Sequence, residues 1–261
     1  MGPRWKGKGS EAKAHEDPMS KIVSELKASL SVSDSVGILS GSNVLLEVNT
    51  KLAELLDHAC FGYRISAAVE KQNDVLRTDG QIDTEEKTSK QWFRLGLEEA
   101  FYLCYSLKCL KIEGTDHRAM SEVELWDYMN SQSKCLLDLY KAYSHLRMKN
   151  WIVRPGSQYG VDYVAYRHHP ALVHSEYAIL VFPDAKFCTS DRLRVWSDFH
   201  CTLRLCGSVA KTLLVLHVLQ HGSGSDFPAC LENYSVEEYA IGRWYPEQSR
   251  EESFNSRLQE K

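Results

Sequence analysis

The sequence has no long apolar run, and no stretch approaches the roughly 18 consecutive apolar residues of a membrane-spanning helix. The opening stretch, MGPRWKGKGSEAKAHEDP, also lacks the apolar centre of a secretory signal peptide. We therefore expect neither a membrane span nor an export signal. Apolar residues still make up 43% of the 261 residues, which is enough for a substantial core.

Cysteine pairs at metal-binding spacing are missing as well. The eight cysteines include no C-x-x-C pair, and several occupy apolar positions of helical or strand patterns. This usage favours buried thiols in a reducing compartment over a disulfide framework or a zinc site. We expect no cofactor and no metal ion.

An overall positive charge is also absent, because the formal net charge is −4. A chain that binds nucleic acid through bulk charge alone is thereby excluded. The charge is nevertheless unevenly distributed. Residues 141–211 carry ten Lys and Arg against five Asp and Glu, whereas residues 212–261 carry four against eight. This gradient indicates a polyanionic ligand near the middle of the sequence and a protein partner near its end.

The first ninety residues predict little regular structure. Residues 1–19 are rich in Gly, Lys and charge and predict a disordered basic tail. In it Arg4, Lys6 and Lys8 are by default solvated, with contact to RNA as the alternative. Residues 20–90 predict a poorly defined extension. It contains a helix over residues 20–31, a strand followed by a helix over residues 43–57, and a flexible linker from Glu70 to Lys90.

Helical periodicity dominates residues 91–150, which we predict to be a helical subdomain. An apolar stripe of one long helix is formed by Phe93, Leu97, Ala100, Phe101, Cys104 and Leu107. Ser121 and Glu124 then form a capping-box pattern at the start of a further helix.

After Trp151 the period changes from 3.6 to 2. WIVRP, YGVDYVAYR, HSEYAILVFP, LLVLHVLQ and VEEYAIGRW predict strands, and SDRLRVWSDFHCTLRLC predicts a helix between them. We therefore predict an α+β fold in which a mixed-sheet domain occupies residues 151–250 and a tail occupies residues 251–261.

A dense group of polar residues lies where two of these strands meet, in YRHHPALVH. Tyr166, Arg167 and three histidines fall within nine residues, and packing alone does not require them. A metal site at His168, His169 and His174 is disfavoured, because adjacent residues on an extended chain point to opposite faces. Taken singly, Tyr166 is typical of a strand boundary, His174 of a structural hydrogen-bonding residue and Lys211 of a solvated surface cation.

Taken together, the motifs resemble the catalytic subunits of the tRNA-intron (tRNA-splicing) endonucleases, most closely the subunit 2 type. The matching stretches, in order, are Gln158–Asp162, Tyr166–Arg167, His174–Tyr177, Val209–Lys211 and Arg243–Trp244. The resemblance covers roughly residues 92–250 and leaves out the first 90. Gln158 replaces a lysine found in many members, and His168 with His169 replaces a more usual small or basic residue followed by glycine.

The resemblance implies a metal-independent RNA endonuclease. In this family the 2′-OH attacks the scissile phosphate and leaves 2′,3′-cyclic phosphate and 5′-OH ends. Tyr166 would be the general base, His174 the general acid and Lys211 the electrostatic stabiliser. A tyrosine acts as a base only if neighbouring cations lower its pKa, and Lys211 and Arg167 are the expected neighbours.

The resemblance also implies RNA contacts and partners. Arg204 and Trp244 would stack on a base, although Trp244 is almost equally typical of a core or interface anchor. Arg243 would contact either phosphate or a partner carboxylate, and Arg167, Arg192 and Arg194 are candidates for contacts with the RNA backbone. The expected partners are precursor tRNA, a second catalytic subunit and two structural subunits, one of them joined through the last predicted strand. The expected compartment is the nucleus or, as the alternative, the cytoplasmic face of mitochondria.

Two other functions remain open from the residues alone. One is a non-catalytic scaffold subunit of the same complex, although such subunits lose the Tyr166, His174 and Lys211 set. The other is a general RNA-binding module.

Overall fold

A computed structural model describes residues 2–65, 90–133, 135–183, 195–221 and 227–242 of the chain. Two mixed sheets form its framework. Within the described ranges, no helix is both long enough and apolar enough to cross a membrane.

The first sheet has five strands in the order β3-β4-β2-β1-β5. Their bounds are β1 Val36–Ser40, β2 Asn43–Val48, β3 Tyr63–Arg64, β4 Gln91–Gly96 and β5 Lys111–Glu113. The β1–β5 pair is parallel and the other pairs are antiparallel. Alternate residues of β2 are fully buried, as its two-residue period requires.

Helices surround this first sheet and continue beyond it. Their bounds are α1 Ser10–Glu16, α2 Met19–Val32, α3 Thr50–Ala59, α4 Leu97–Phe101, α5 Glu122–Gln132 and α6 Leu136–Met148. A π-helical turn, Tyr102–Ser106, extends α4. The predicted capping box is confirmed, because Ser121 Oγ accepts from Glu124 N at 3.2 Å and the Glu124 carboxylate accepts from Ser121 N at 2.8 Å.

The second sheet has five strands in the order β10-β9-β8-β7-β6. Their bounds are β6 Ile152–Pro155, β7 Tyr163–Tyr166, β8 Tyr177–Pro183, β9 Thr212–Gln220 and β10 Tyr234–Ile241. Helix α7 (Trp196–Ser208) lies in the crossover between the parallel strands β8 and β9, and the short helix α8 (Ala229–Glu232) precedes β10.

One hydrophobic core joins the two sheets. It includes Leu46 of β2, Tyr143 of α6 and Leu216 of β9, all buried. Arg147 of α6 is buried within this junction, where its guanidinium donates to the carbonyl oxygens of Ala59 at 3.1 Å and Cys60 at 2.7 Å. Because Ala59 is the last residue of α3, the Arg147 side chain connects α6 to the end of α3.

The α+β class is confirmed, whereas several details differ from the sequence predictions. The predicted long helix is wrong over residues 91–96, which form β4. Phe93 and Leu95 are buried and Arg94 is exposed, so this stretch has a period of two and packs as a strand. Residues 1–19, predicted as a disordered tail, contain α1 and begin α2.

Other predicted segments lie partly outside the described residues. The predicted linker from Glu70 to Lys90 lies outside them except for Lys90, and so does the predicted tail at residues 251–261. The prediction of buried thiols holds for Cys60, Cys109 and Cys206, whereas Cys201 is exposed and Cys135 is disulfide-bonded. Burial raises the pKa of the Cys104 and Cys109 thiols to about 11, so these two are unreactive packing groups at neutral pH.

Candidate active site at one end of the second sheet

Strand direction brings the three predicted catalytic residues to one end of the second sheet. Tyr166 is the last residue of β7, which runs antiparallel to β8. His174 precedes the start of β8 by three residues, and Lys211 immediately precedes β9. Because β8 and β9 are parallel, their beginnings coincide with the end of β7.

Backbone hydrogen bonds fix this end of the sheet. Glu176 N donates to Ala165 O at 2.9 Å, which aligns the residue before Tyr166 with the start of β8. Thr212 N donates to Glu176 O at 2.9 Å, which aligns the residue after Lys211 with the same point. The sheet ladder itself therefore sets the relative positions of the three residues.

His174 is exposed and surrounded by positive charge. Its backbone N donates to Arg4 O at 3.0 Å, so the first residues of the chain contact it directly. Partial burial lowers the pKa of the His174 imidazole, and the charges of Lys6, Arg4 and Lys211 lower it further. At neutral pH the imidazole is therefore mostly neutral.

Lys211 is delivered by a tight turn after α7. Its backbone N donates to Cys206 O at 2.9 Å, and Ala210 before it holds a left-handed φ of 52°. A non-glycine residue adopts this conformation at a cost of about 1–2 kcal/mol, which the α7–β9 packing must offset. The ammonium lies 4.6 Å from the centroid of the Tyr159 ring. Partial burial lowers the pKa of Lys211, and Arg4 and Lys6 add to that effect.

Tyr166 is half-buried, and its ionisation differs from the sequence prediction. Burial raises the pKa of its hydroxyl, opposed by a hydrogen bond with the buried Ser175 hydroxyl and by the charge of Arg154. The prediction that Lys211 and Arg167 lower this pKa is therefore wrong for the RNA-free protein.

Arg167 does not act on Tyr166 in this way because its guanidinium is paired with another side chain. Arg167 Nε and one terminal nitrogen of its guanidinium donate to the two Glu176 carboxylate oxygens at 2.8 and 2.9 Å. Its guanidinium carbon also lies 4.7 Å from the centroid of the Trp151 ring. Arg167 thus braces β6 against the β7–β8 junction, and its predicted contact with RNA remains a prediction.

The two adjacent histidines of the turn face the first sheet's helices. His168 is buried, with Nε2 2.8 Å from Asp17 O and no partner for Nδ1 among the described residues. His169 Nδ1 accepts from Ala171 N at 3.1 Å, and its ring meets the His58 ring at 6.4 Å. No group of three or more His, Cys, Asp or Glu able to hold a metal occurs in the described part of the chain.

The other predicted RNA contacts are only partly described. Arg204 is exposed on α7. The remaining ones, Arg192, Arg194, Arg243 and Trp244, lie outside the described residues.

The main features that the sequence analysis missed are contacts made across long chain separations. The basic tail predicts a solvated Arg4 by default, and no sequence pattern indicates Ser175 or Tyr159 as a neighbour of a site residue. The alternation of basic residues around Trp5 in RWK was the one local signal for the first of these contacts.

Two family models match the chain consecutively. The tRNA intron endonuclease N-terminal domain matches residues 36–126, and the tRNA intron endonuclease catalytic C-terminal domain matches residues 136–225. The similarity therefore begins well before residue 92, because the first sheet belongs to the matched N-terminal domain. The prediction that the resemblance leaves out the first 90 residues is therefore wrong.

Individual proteins are similar over much of their length. The chain is 52% identical to "tRNA-splicing endonuclease subunit Sen2-1" of Arabidopsis thaliana, over 97% of this chain and 98% of that protein. It is 52% identical to subunit Sen2-2 of the same plant, over 98% and 95%. It is 28% identical to subunit Sen2 of Rattus norvegicus, over 61% of this chain and 36% of that protein.

Proposed function

This chain belongs to the tRNA intron endonuclease family, and on that premise we propose that it is a catalytic subunit of a tRNA-splicing endonuclease that cuts intron-containing precursor tRNA at the 5′ splice site. The observation that carries the proposal is the convergence of Tyr166, His174 and Lys211 at one end of the second sheet. Side chains able to take a proton, give a proton and bind an anion are the set that RNA cleavage by its own 2′-OH requires.

In the proposed reaction Tyr166 removes the proton from the 2′-OH, whose oxygen attacks the adjacent phosphorus. The P–O bond to the 5′ oxygen then breaks, which leaves a 2′,3′-cyclic phosphate and a 5′-OH end. Burial keeps the Tyr166 hydroxyl protonated in most molecules at neutral pH. The same burial makes the deprotonated fraction a stronger base, so a small population still carries the proton transfer.

His174 protonates the departing 5′ oxygen in this scheme. Its lowered pKa makes the imidazolium a stronger acid, although fewer molecules carry the proton at neutral pH. The Lys211 ammonium stabilises the negative charge that builds up on the phosphorane oxygens. Its contact with the Tyr159 ring limits where the flexible side chain can place that charge.

The fold also supports assembly with other subunits through β10. This strand lies at the edge of the second sheet, and half of its residues are exposed while none is buried. An exposed edge strand presents unpaired backbone groups that a second chain can join. We propose that β10 contacts one subunit of a complex with a second catalytic subunit and two structural subunits. We propose the nucleus as its compartment, with the cytoplasmic face of mitochondria as the alternative.

The test is cleavage of an intron-containing precursor tRNA in EDTA by this chain co-expressed with its partner subunits. His174→Ala should abolish the 5′ cut, leave the 3′ cut intact and leave RNA affinity unchanged. His117→Asn, an exposed histidine far from the site in sequence, is the matched control and should cut normally. Product ends should be 2′,3′-cyclic phosphate and 5′-OH.

Each other result identifies a different function. Persistence of both cuts in His174→Ala would make this chain a scaffold subunit. Loss of the 3′ cut alone would overturn the splice-site assignment. Loss of RNA affinity with no catalytic defect at saturating RNA would favour a general RNA-binding module.

A further inference from the structure

Residues 4–6 pair with the turn that carries His174 through an isolated β-bridge. Lys6 N donates to Leu172 O at 2.8 Å, and His174 N donates to Arg4 O at 3.0 Å. Between these two bonds, Trp5 pairs with Val173 in an antiparallel bridge. The amide of a predicted catalytic residue is therefore held by a segment from the opposite end of the sequence.

The same segment also contacts the turn that carries Lys211. The Arg4 guanidinium donates to Val209 O at 3.4 Å, two residues before Lys211. Arg4 thus contacts both the His174 turn and the Lys211 turn. Each of these turns supplies one residue of the candidate active site.

The cations gathered here have no acidic partners in the described part of the chain. Neither Arg4, Lys6 nor Lys211 forms a salt bridge there. Lys21, by contrast, pairs with Asp17 at 2.6 Å only one helical turn into α2. Arg4 and Lys6 are exposed, so a ligand can reach both.

Unpaired cations close together repel one another. Burial is the largest cause of the lowered pKa values of His174 and Lys211, and repulsion from Arg4 and Lys6 adds to both. A ligand with several negative charges at fixed spacing can neutralise all of these cations at once and so remove their mutual repulsion. An RNA backbone is such a ligand, because each linkage carries one phosphate charge.

We propose that residues 4–6 are part of the RNA-binding site, where Arg4 and Lys6 contact phosphates that flank the scissile phosphate and the Arg4 carbonyl positions His174. This inference rests on the proposed function and deepens it. Arg4 and Lys6 are positioning residues, because they contact the strand on either side of the reacting atoms. Phosphate contacts of this kind set the register of RNA without reading its sequence.

The experiment uses the assembled complex and a precursor tRNA with a 2′-deoxy nucleotide at the 5′ splice site, which binds but cannot be cut there. The test variant is Arg4→Gln with Lys6→Gln, which removes both charges and leaves the backbone pairing intact. The charge-matched control is Lys13→Gln with Lys51→Gln, two exposed lysines on α1 and α3. Affinity is measured across a series of salt concentrations.

We expect the test variant to bind roughly tenfold more weakly or worse at moderate salt, with a log–log salt slope reduced by about 1.4 to 1.8, as two lost phosphate contacts require. On cleavable RNA its KM should rise while kcat changes little. A second variant that deletes residues 2–6 should also lower kcat, because it removes the hydrogen-bond partner of the His174 amide.

The proposal is overturned if the test variant and the control have the same affinity and the same salt slope, since residues 4–6 would then be solvated. Faster cleavage by the deletion variant would also overturn it and would make the segment inhibitory. His174→Ala is assayed alongside. If that change leaves cleavage intact, the proposed catalytic function fails, whereas the affinity series still decides whether residues 4–6 bind RNA.

Discussion

Basic side chains occupy two very different environments in this protein. At the junction of the two sheets, Arg147 is buried and each of its three guanidinium nitrogens donates a hydrogen bond. It donates to two backbone carbonyls and to Tyr143 Oη at 2.9 Å, and it lies 3.9 Å from the centroid of the Phe61 ring. At the end of the second sheet, Lys211, Arg4 and Lys6 lie together without a salt bridge among the described residues.

The difference shows how one type of residue serves two purposes. A buried cation whose nitrogens each donate within its own protein stabilises the fold and is inaccessible to a ligand. A cation left without an acidic partner gains more from an anion that arrives from outside. Arg167 is the intermediate case, since it is paired with Glu176 yet its side chain remains 50% exposed.

Among the three site cations without a salt bridge to the described residues, Lys211, Arg4 and Lys6, replacement of Lys211 should have the largest effect. Lys211→Met keeps the contact with the Tyr159 ring but removes the charge, so kcat for the 5′ cut should fall about 100- to 1000-fold, as loss of one transition-state stabilising group does. Thermal unfolding should be unchanged. Single-turnover cleavage of precursor tRNA measures the first effect, and Lys211→Arg, which retains the charge, should recover part of the rate. An unchanged kcat would remove Lys211 from the catalytic residues.

Replacing Arg147 should affect folding alone. Arg147→Met leaves the buried carbonyls of Ala59 and Cys60 without donors, which should lower the free energy of unfolding by about 2–4 kcal/mol. Urea denaturation followed by circular dichroism measures the change. Arg118→Met, at an exposed arginine 3.5 Å from Glu124, is the control and should change stability little. Equal stability of the two variants would show that the buried Arg147 contributes no more to the fold than an exposed arginine.

The pH dependence of cleavage should reflect the opposite pKa shifts of the acid and the base. The pKa of His174 lies below 6.5 and that of Tyr166 above 10, so the reactive form is a minor species at every pH between them. The rate should rise about tenfold per pH unit below the His174 pKa, because the base deprotonates while the acid stays protonated. Above it the rate should be flat, because the loss of acid cancels the gain of base.

Arg4 and Lys6 also affect the pH at which that plateau begins. Arg4→Gln with Lys6→Gln removes two charges that lower the His174 pKa, so the rising limb should extend to higher pH than in the wild type. The groups acting on His174 are Arg4, Lys6 and Lys211, and the first two are changed. Steady-state kcat/KM from pH 5 to 9 measures the shift, with a reaction lacking protein to subtract alkaline RNA hydrolysis. A bell-shaped profile centred near neutral pH would contradict these assignments.

Replacement of Arg167 should have the smallest effect. It tests whether Arg167 stabilises the fold, binds RNA or does both. Arg167→Gln loses the two-pronged bond with Glu176, but solvent screens the half-exposed guanidinium, so stability should fall by about 1 kcal/mol or less. Thermal unfolding measures this change, and the affinity for uncleavable precursor tRNA reports any contact with RNA. Unchanged affinity would assign Arg167 to the structural group.

The sequence predicted best what depends on neighbouring residues. The capping box at Ser121, the strands after Trp151 and the grouping of Tyr166 with His174 all follow local patterns or motif spacing. It failed at Phe93, whose spacing to Leu97 fits a helix although residues 91–96 pair with β2. That pairing depends on a strand more than forty residues away, which local periodicity does not register.

The same limit explains the errors at the site. No local signal indicates that Arg167 pairs with Glu176, or that burial determines the ionisation of Tyr166. The contact of residues 4–6 with the His174 turn spans about 170 positions of the sequence, so only the folded chain reveals it.

That long-range contact also fixes when the site is completed during synthesis. Residues 4–6 are translated before the β7–β8 turn, yet their docking surface exists only after that turn has been translated and folded. A nascent or truncated chain therefore carries the positive charges without the geometry that places them beside His174. We expect completion of the RNA site to be among the last steps of maturation, so that unfinished chains cannot process RNA.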